Sequence, residues 1–449
     1  MSHLSMANDF LDIISFSEES NSKDISVLKD LYNDIDLLKN MIEKLLRKRL
    51  DGSLIYGKKI LLKPNWVTHS YNKTEELSKI TNESFIIAAL LSIIEYQPRE
   101  IIIGDAPIQG CLWNKLISRE FMEQVVSLSV RYGIKIKIMD FRRRRFEIKR
   151  NSPEKELRPL SDYIIFDIGN DSFLEPITTP GKSKFRVTNY DPARMTFAHS
   201  PGIHKYCIIK DFFEADIIIS LPKIKTHQKT GITGALKNIV GLNGDKDFLP
   251  HHRIGGTLIG GDCYPGRSLL RHFAELLLDL ANRNQGKSIF WFWQKLSSLL
   301  WMISLPGPEH NIAAGWYGND TTWRMVLDIN RIAVYGKPDG SISDTKQRQI
   351  FSLCDAIIAG QGNGPLHPDP LPLGLVSFTN CSAINDKSFA ILMGLPIDNI
   401  PILSNNVSEH SQNCEITFNG EIIKTTELKD HSMIAILPGG WNGLYNKSK

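Results

Sequence analysis

Residues 216–243 read DIIISLPKIKTHQKTGITGALKNIVGLN. The run from Ile217 to Leu221 offers apolar side chains to both faces. A strand here therefore needs cover on both sides, as in the middle of a parallel sheet. A strongly basic segment follows: Lys223, Lys225, His227, Lys229 and Lys237 come with no Asp or Glu among them. GALKNIVGLN then reads as a glycine-punctuated helix, so the positive charge falls where a strand hands over to a helix.

The same pattern recurs on either side. KKILLKPN (58–65), REIIIGDA (99–106) and IKIKIMD (134–140) read as strands, while SFIIAALLSIIEY (84–96) and LISREFMEQVVSLSVRYG (116–133) have helical spacing. CDAIIAGQGNGP (354–365), LGLVSFTN (373–380) and MVLDINRIAVYG (325–336) read as further strands, and NDKSFAILMG (385–394) as a helix. Alternating strands and helices predict an α/β fold with a mainly parallel, doubly wound sheet. Three parts are expected. Residues 1–50 form a peripheral helical segment, and residues 51–410 the α/β domain, with insertions at about 141–215 (antiparallel) and about 244–326. Residues 411–449 add a small C-terminal β extension. The basic run Arg142–Arg145 is expected to be a solvated strand end.

Polar groups repeatedly sit just past an apolar run. KILL leads to Lys63 and Asn65, EIIIG to Asp105, DIIIS to the basic segment, and AIIAG to Gln361–Pro365. In an open parallel sheet those ends share one edge, where ligands bind. Lys63, Asn65, Lys223, Lys225, Lys237, Asn238 and Asn363 are the candidate ligand-binding residues. With free N–H groups at the start of the GALKNIVG helix, they suit a phosphate, diphosphate or carboxylate. His227, His251 and Asp105 are the candidate catalytic groups. They could serve proton transfer, or hold a divalent metal with help from Asp245, Asp247 and His252, or be hydrogen-bonded loop residues. Asp386 reads as the cap of its own helix. No phosphate-binding glycine motif follows a first strand.

The chain has 449 residues, 42% hydrophobic and 23% charged, which suits a globular protein. A net charge of +4 is too slight to argue for nucleic acid. The six cysteines contain no C-x-x-C pair, so no iron–sulfur cluster is expected and a reduced cytoplasmic setting is. The first twenty residues lack a basic segment followed by a long apolar core, so no signal peptide is expected. IFWFWQKLSSLLWMISL (289–305) is the exception to a plainly water-borne sequence: it reads as an interfacial helix on a membrane surface, a lid, or a buried helix. The interfacial reading requires Phe290, Trp291, Trp293, Leu296, Leu300 and Trp301 to lie outside the core.

LKPNWV, IIIGDAP, the block LPKIKTHQKTGITGALKNIVGLN with GDKDFLPHH, WRMVLDINRI, and GQGNGPLHPDPLPLGLVSFTN with its following helix occur in this order. The series resembles the family catalogued as domain of unknown function 362, over roughly residues 58–400. The resemblance implies the α/β fold and a cleft, and no settled reaction. Some relatives carry a ferredoxin module with four-iron clusters, whose cysteines this chain lacks. By matching position, Lys63, Asn65, Asp105, Lys223, Lys225, His227, Lys237, Asn238, His251, Asn363 and Asp386 are the family-motif residues. The functional expectation is an enzyme binding an anionic small molecule. The alternative is a non-catalytic anion-binding or scaffold protein held to a membrane through residues 289–305.

Overall fold

A computed structural model describes residues 9–16, 24–146, 154–180, 184–304, 314–405 and 414–447. Twelve strands build the main sheet: β1 (Phe10–Ser15), β2 (Lys59–Pro64), β3 (Glu100–Asp105), β4 (Lys135–Asp140), β5 (Ile217–Leu221), β6 (Lys223–His227), β7 (Gly231–Thr233), β8 (Ile350–Asn363), β9 (His367–Leu371), β10 (Leu375–Thr379), β11 (Glu415–Phe418) and β12 (Glu421–Ile422). The path runs β12-β11-β1-β10-β8-β5-β2-β3-β4. From β8 to β4 all neighbours are parallel.

The runs KILLK, EIIIG, DIIIS and AIIAG are therefore central strands of one sheet, pointing the same way. Their side chains alternate between two cores. Ile60, Leu62, Ile101, Ile103, Ile217 and Ile219 pack on one side, under the helices Ile35–Arg49, Glu83–Ile94 and Arg119–Tyr132. Leu61, Ile102 and Ile218 pack on the other, under Thr322–Tyr335 and Ser382–Leu392. Local chemistry sets the helix ends: Asn82 and Ser118 cap two N-termini, and Gly133 closes the second helix with φ +65°.

Four elements differ from expectation. MVLDINRIAVYG is helical, because its buried residues Met325, Val326, Ile329, Ile332 and Ala333 follow a 3.6-residue period that its β-branched content obscures. Phe10–Ser15, inside the segment read as helical, is a strand between β10 and β11. Its Asp12 would break an apolar run, but here it is buried and paired with Lys48 and Arg49. Beyond Pro222 the basic segment continues as β6, beside the second half of the 14-residue β8, and turns back through β7. The GALKNIVGLN helix is only Ala235–Asn238, followed by a 3-10 turn.

The antiparallel insertion is present as Tyr163–Asp167, Ile203–Ile209 and His199–Ser200, with smaller pairs beside it. The arginine run is not solvated. Arg142 is fully buried, donating to Asp140 and to the carbonyls of Ile108, Gln109 and Cys111. Arg143 and Arg144 pair with Asp245, and Arg144 also with Asp247.

Gly241 packs directly on the sheet edge: a β-carbon there would sit 1.8 Å from Asp105 Oδ1 and 2.7 Å from Lys63 Nζ. Gly241→Ala is expected to cost about 1–3 kcal/mol through this overlap. Urea denaturation checks it, and an unchanged midpoint would show that the edge accommodates the methyl group.

Candidate functional site

The C-terminal edge of the parallel strands is knitted together by buried polar side chains. Lys63 Nζ, at the end of β2, donates to Asp105 Oδ1 (2.8 Å), the Pro64 carbonyl (3.0 Å) and Asn238 Oδ1 (3.2 Å). Asp105, at the end of β3, also accepts from the backbone N–H groups of Trp66 and Ala106. Asn238 donates to the Lys63 carbonyl and to Ser220 of β5, and its oxygen accepts from Asn65. Lys225 Nζ in turn reaches Asn65 Oδ1 (2.8 Å) and the Lys79 carbonyl. Burial depresses both Lys63 and Lys225; for Lys63 the Asp105 carboxylate opposes that, whereas Lys223, Lys237 and Lys79 depress Lys225 further.

Lys223 forms a second buried centre. Its ammonium meets Asp355 Oδ2 and the Tyr32 hydroxyl, each at 3.0 Å, and Tyr32 donates to Asp355 Oδ1 at 2.6 Å. Lys223 and Asp355 are both completely buried. Lys63, Lys223, Lys225, Asn65 and Asn238 thus already have internal partners.

A different group of cations has none. The half-buried ammonium groups of Lys229 and Lys237 make no hydrogen bond or salt bridge among the described residues. Both lie within electrostatic reach of His227 and His251. Burial, with repulsion from Lys229 and Lys246, brings Lys237 down to about 7. Burial brings Lys229 down to about 8. Lys246 also falls to about 8 through burial, and donates to the Ala106 carbonyl at 2.8 Å.

The two histidines have complementary tautomers. His227 Nδ1 accepts from the N–H groups of Lys229 (3.0 Å) and Thr230 (3.2 Å), which leaves its proton on Nε2. His251 Nδ1 donates to the Leu249 carbonyl (2.7 Å), which leaves a lone pair on Nε2. Burial, reinforced by the neighbouring lysines, holds both well below the usual imidazole range. Both are neutral at pH 7. One is a donor and the other an acceptor.

A model of the family described as domain of unknown function (DUF362) matches residues 181–387. Over that segment the chain is similar to the DUF362 family. Lys63, Asn65 and Asp105 precede the matched segment, whereas β5–β8, both histidines and Asp386 lie within it. No curated protein matches. A Thermotoga maritima protein of known crystal structure is similar at 10% identity with a TM-score of 0.35, over 78% of this chain and 56% of that one. The chain thus spans little more than half the length of that neighbour.

Within the DUF362 segment, Asp386 caps a helix other than its own. Its carboxylate accepts from Ala235 N (2.6 Å) and Leu236 N (3.0 Å), and Gly234 leaves room for it, since a β-carbon there would lie 2.1 Å from Oδ1. The helix start expected to greet an anion is therefore already occupied. Asn363 is exposed, accepting from Gln228 and Gly439 at the far end of β8. Asp245 and Asp247 are held by arginines. His227, His251 and Asp105 do not bring three donor atoms within 4.8 Å of one another; among the described residues His252, Cys263 and Glu275 do. Sequence reasoning missed Asp355, although a carboxylate inside the apolar run CDAIIAG signals a buried partner. For Tyr32 there was no signal.

These contacts separate lysines that look alike in sequence. Lys223→Ala strands a buried carboxylate and is expected to cost about 3–5 kcal/mol. Lys237→Ala removes only a repelled cation and is expected to leave the urea midpoint unchanged or higher. A loss for Lys237→Ala as large as that for Lys223→Ala would show Lys237 to be structural.

Proposed function

We propose that the protein binds a phosphorylated or carboxylated small molecule at the basic cluster of Lys229, Lys237, His227 and His251, called the recess below. The observation that carries this reading is the absence, among the described residues, of any hydrogen-bonding or salt-bridging partner for the two ammonium groups. Holding like charges together in a half-buried site costs free energy, and a bound oxyanion would relieve it. His227 Nε2–H is a further donor to such an anion. His251 Nε2 is an acceptor suited to taking a proton from a bound hydroxyl or water, which is the enzymatic form of the reading.

Sulfate is a suitable probe, because its own charge is constant across the neutral range. Calorimetry is expected to show Lys237→Ala weakening sulfate binding by about 1–3 kcal/mol. Sulfate favours the charged amine, and Lys237 in the free protein titrates at about 7. Affinity should therefore be level below that pH and fall above it. Equal affinity in the two proteins, or affinity rising with pH, would remove the recess as an anion site.

A second reading, attachment to an anionic membrane surface, is favoured by the helical hairpin Leu269–Arg283 and Ile289–Ser304. Leu269, Phe273, Phe292, Met302 and Ile303 are each more than half exposed. The exposed set differs from the expected one: Phe290 and Trp301 are buried, whereas Trp291 is exposed. Leu305 lies outside the described residues. The hairpin's two acidic residues, Glu275 and Asp279, are buried, so its exposed charges are basic: Arg267, Arg283, Lys287 and Lys295. Exposed apolar side chains flanked by cations suit an anionic lipid surface. Among the described residues no single helix is long and apolar enough to cross a membrane. Sedimentation with phosphatidylserine vesicles is expected, weakening in Phe292→Ser and Ile303→Ser. No sedimentation, or a dimer in the ultracentrifuge that these substitutions dissolve, would assign the face to another copy of the chain.

A further inference from the structure

We infer that His252, Cys263 and Glu275 form a zinc-binding site beside the basic cluster. One donor atom from each residue lies within 4.8 Å of the other two. All three side chains are buried, at 6%, 1% and 5% exposure. Two of the three residues carry a buried polar atom without a hydrogen bond, His252 Nδ1 and Glu275 Oε1, while the Cys263 thiol and the Glu275 carboxyl interact with each other. Buried polar atoms are nearly always satisfied, so two unsatisfied atoms on residues clustered with a thiol point to a ligand. An imidazole, a thiolate and a carboxylate together suit zinc, with bonds of about 2.0–2.3 Å.

The loop that joins these residues is built to bring them together. His252 lies in a short strand paired with Phe185–Arg186, and the chain then folds back so that Cys263 N donates to the Gly255 carbonyl (3.0 Å). Gly255 has φ +93°, and at Gly261 a β-carbon would lie 2.1 Å from the Gly255 oxygen. Glu275 comes from the helix Leu269–Arg283, anchored to the same loop by Gly255 N (2.9 Å). His252 and Glu275 also line a cavity of about 20 Å³, and so does Asn282, whose Oδ1 is a third orphan. That space is enough for a water as fourth ligand.

The charges balance. Zinc with one thiolate and one carboxylate is neutral overall, and binding releases the protons that burial otherwise keeps on Cys263 and Glu275. The ion would fasten the loop to the helix directly after His251, and so fix one wall of the recess.

The test uses the full chain, freed of metal by a chelator and titrated with Zn²⁺ and Co²⁺. Wild-type protein is expected to take up one ion per chain, with a thiolate-to-cobalt charge-transfer absorption. Cys263→Ser should abolish that absorption and weaken zinc on the order of 100-fold, and Glu275→Gln should also weaken it. Cys414→Ser, at a distant half-buried cysteine, should change neither. Circular dichroism establishes that each variant is folded. If Cys263→Ser does not fold, the wild-type cobalt spectrum still decides. No thiolate band in the wild-type protein, or equal zinc affinity in folded Cys263→Ser, overturns the site and leaves a buried water as the ligand of the orphaned atoms.

Discussion

The contact between Lys63 and Asp105 holds the C-terminal edge of the parallel strands in place. Each residue ends a different parallel strand, and each also reaches beyond it: Lys63 to Asn238 of the short helix Ala235–Asn238, and Asp105 to the N–H groups of Trp66, just after β2, and of its own neighbour Ala106. A buried ion pair adds little net stability over an apolar substitute, yet removing one member leaves a charge stranded in the core. Its value here is positional. It fixes where the chain leaves β2 and β3, and through Asn238 it fixes the segment that carries Lys237.

A division of labour among like residues follows. Lys63, Lys223 and Lys225 are buried and act as cross-braces. Lys229 and Lys237, on the turn and short helix just beyond, have no such partners among the described residues and repel one another. The same chemical group is a brace where a carboxylate or amide oxygen meets it, and a repelled cation where, among the described residues, none does.

Much of the sheet was legible because short runs such as KILL, EIIIG and DIIIS admit no other environment than a strand covered on both faces. The edge carrying the polar residues followed from that. The roles of individual residues did not, because they depend on contacts between residues far apart in the chain. Lys223 is engaged by Asp355, 132 residues away, and Asp386 caps a helix 151 residues earlier. The Thr322–Tyr335 helix was obscured because β-branched side chains favour strands locally, while its buried stripe is helical. Phe10–Ser15 was obscured because Asp12 interrupts its apolar face, and the cations that balance it lie on a different element.

That first strand bears on how the molecule is assembled. Phe10–Ser15 lies antiparallel to Leu375–Thr379 and parallel to Glu415–Phe418, so the C-terminal ribbon joins the sheet only across the N-terminal one. The N–H of Phe10 ends on Asn380, 370 residues along the chain. During synthesis this earliest strand therefore emerges long before its neighbours exist, and it must stay unpaired while the central sheet forms. It works as a late clasp, because Phe10–Ser15 can pair only once Leu375–Thr379 and Glu415–Phe418 have been made.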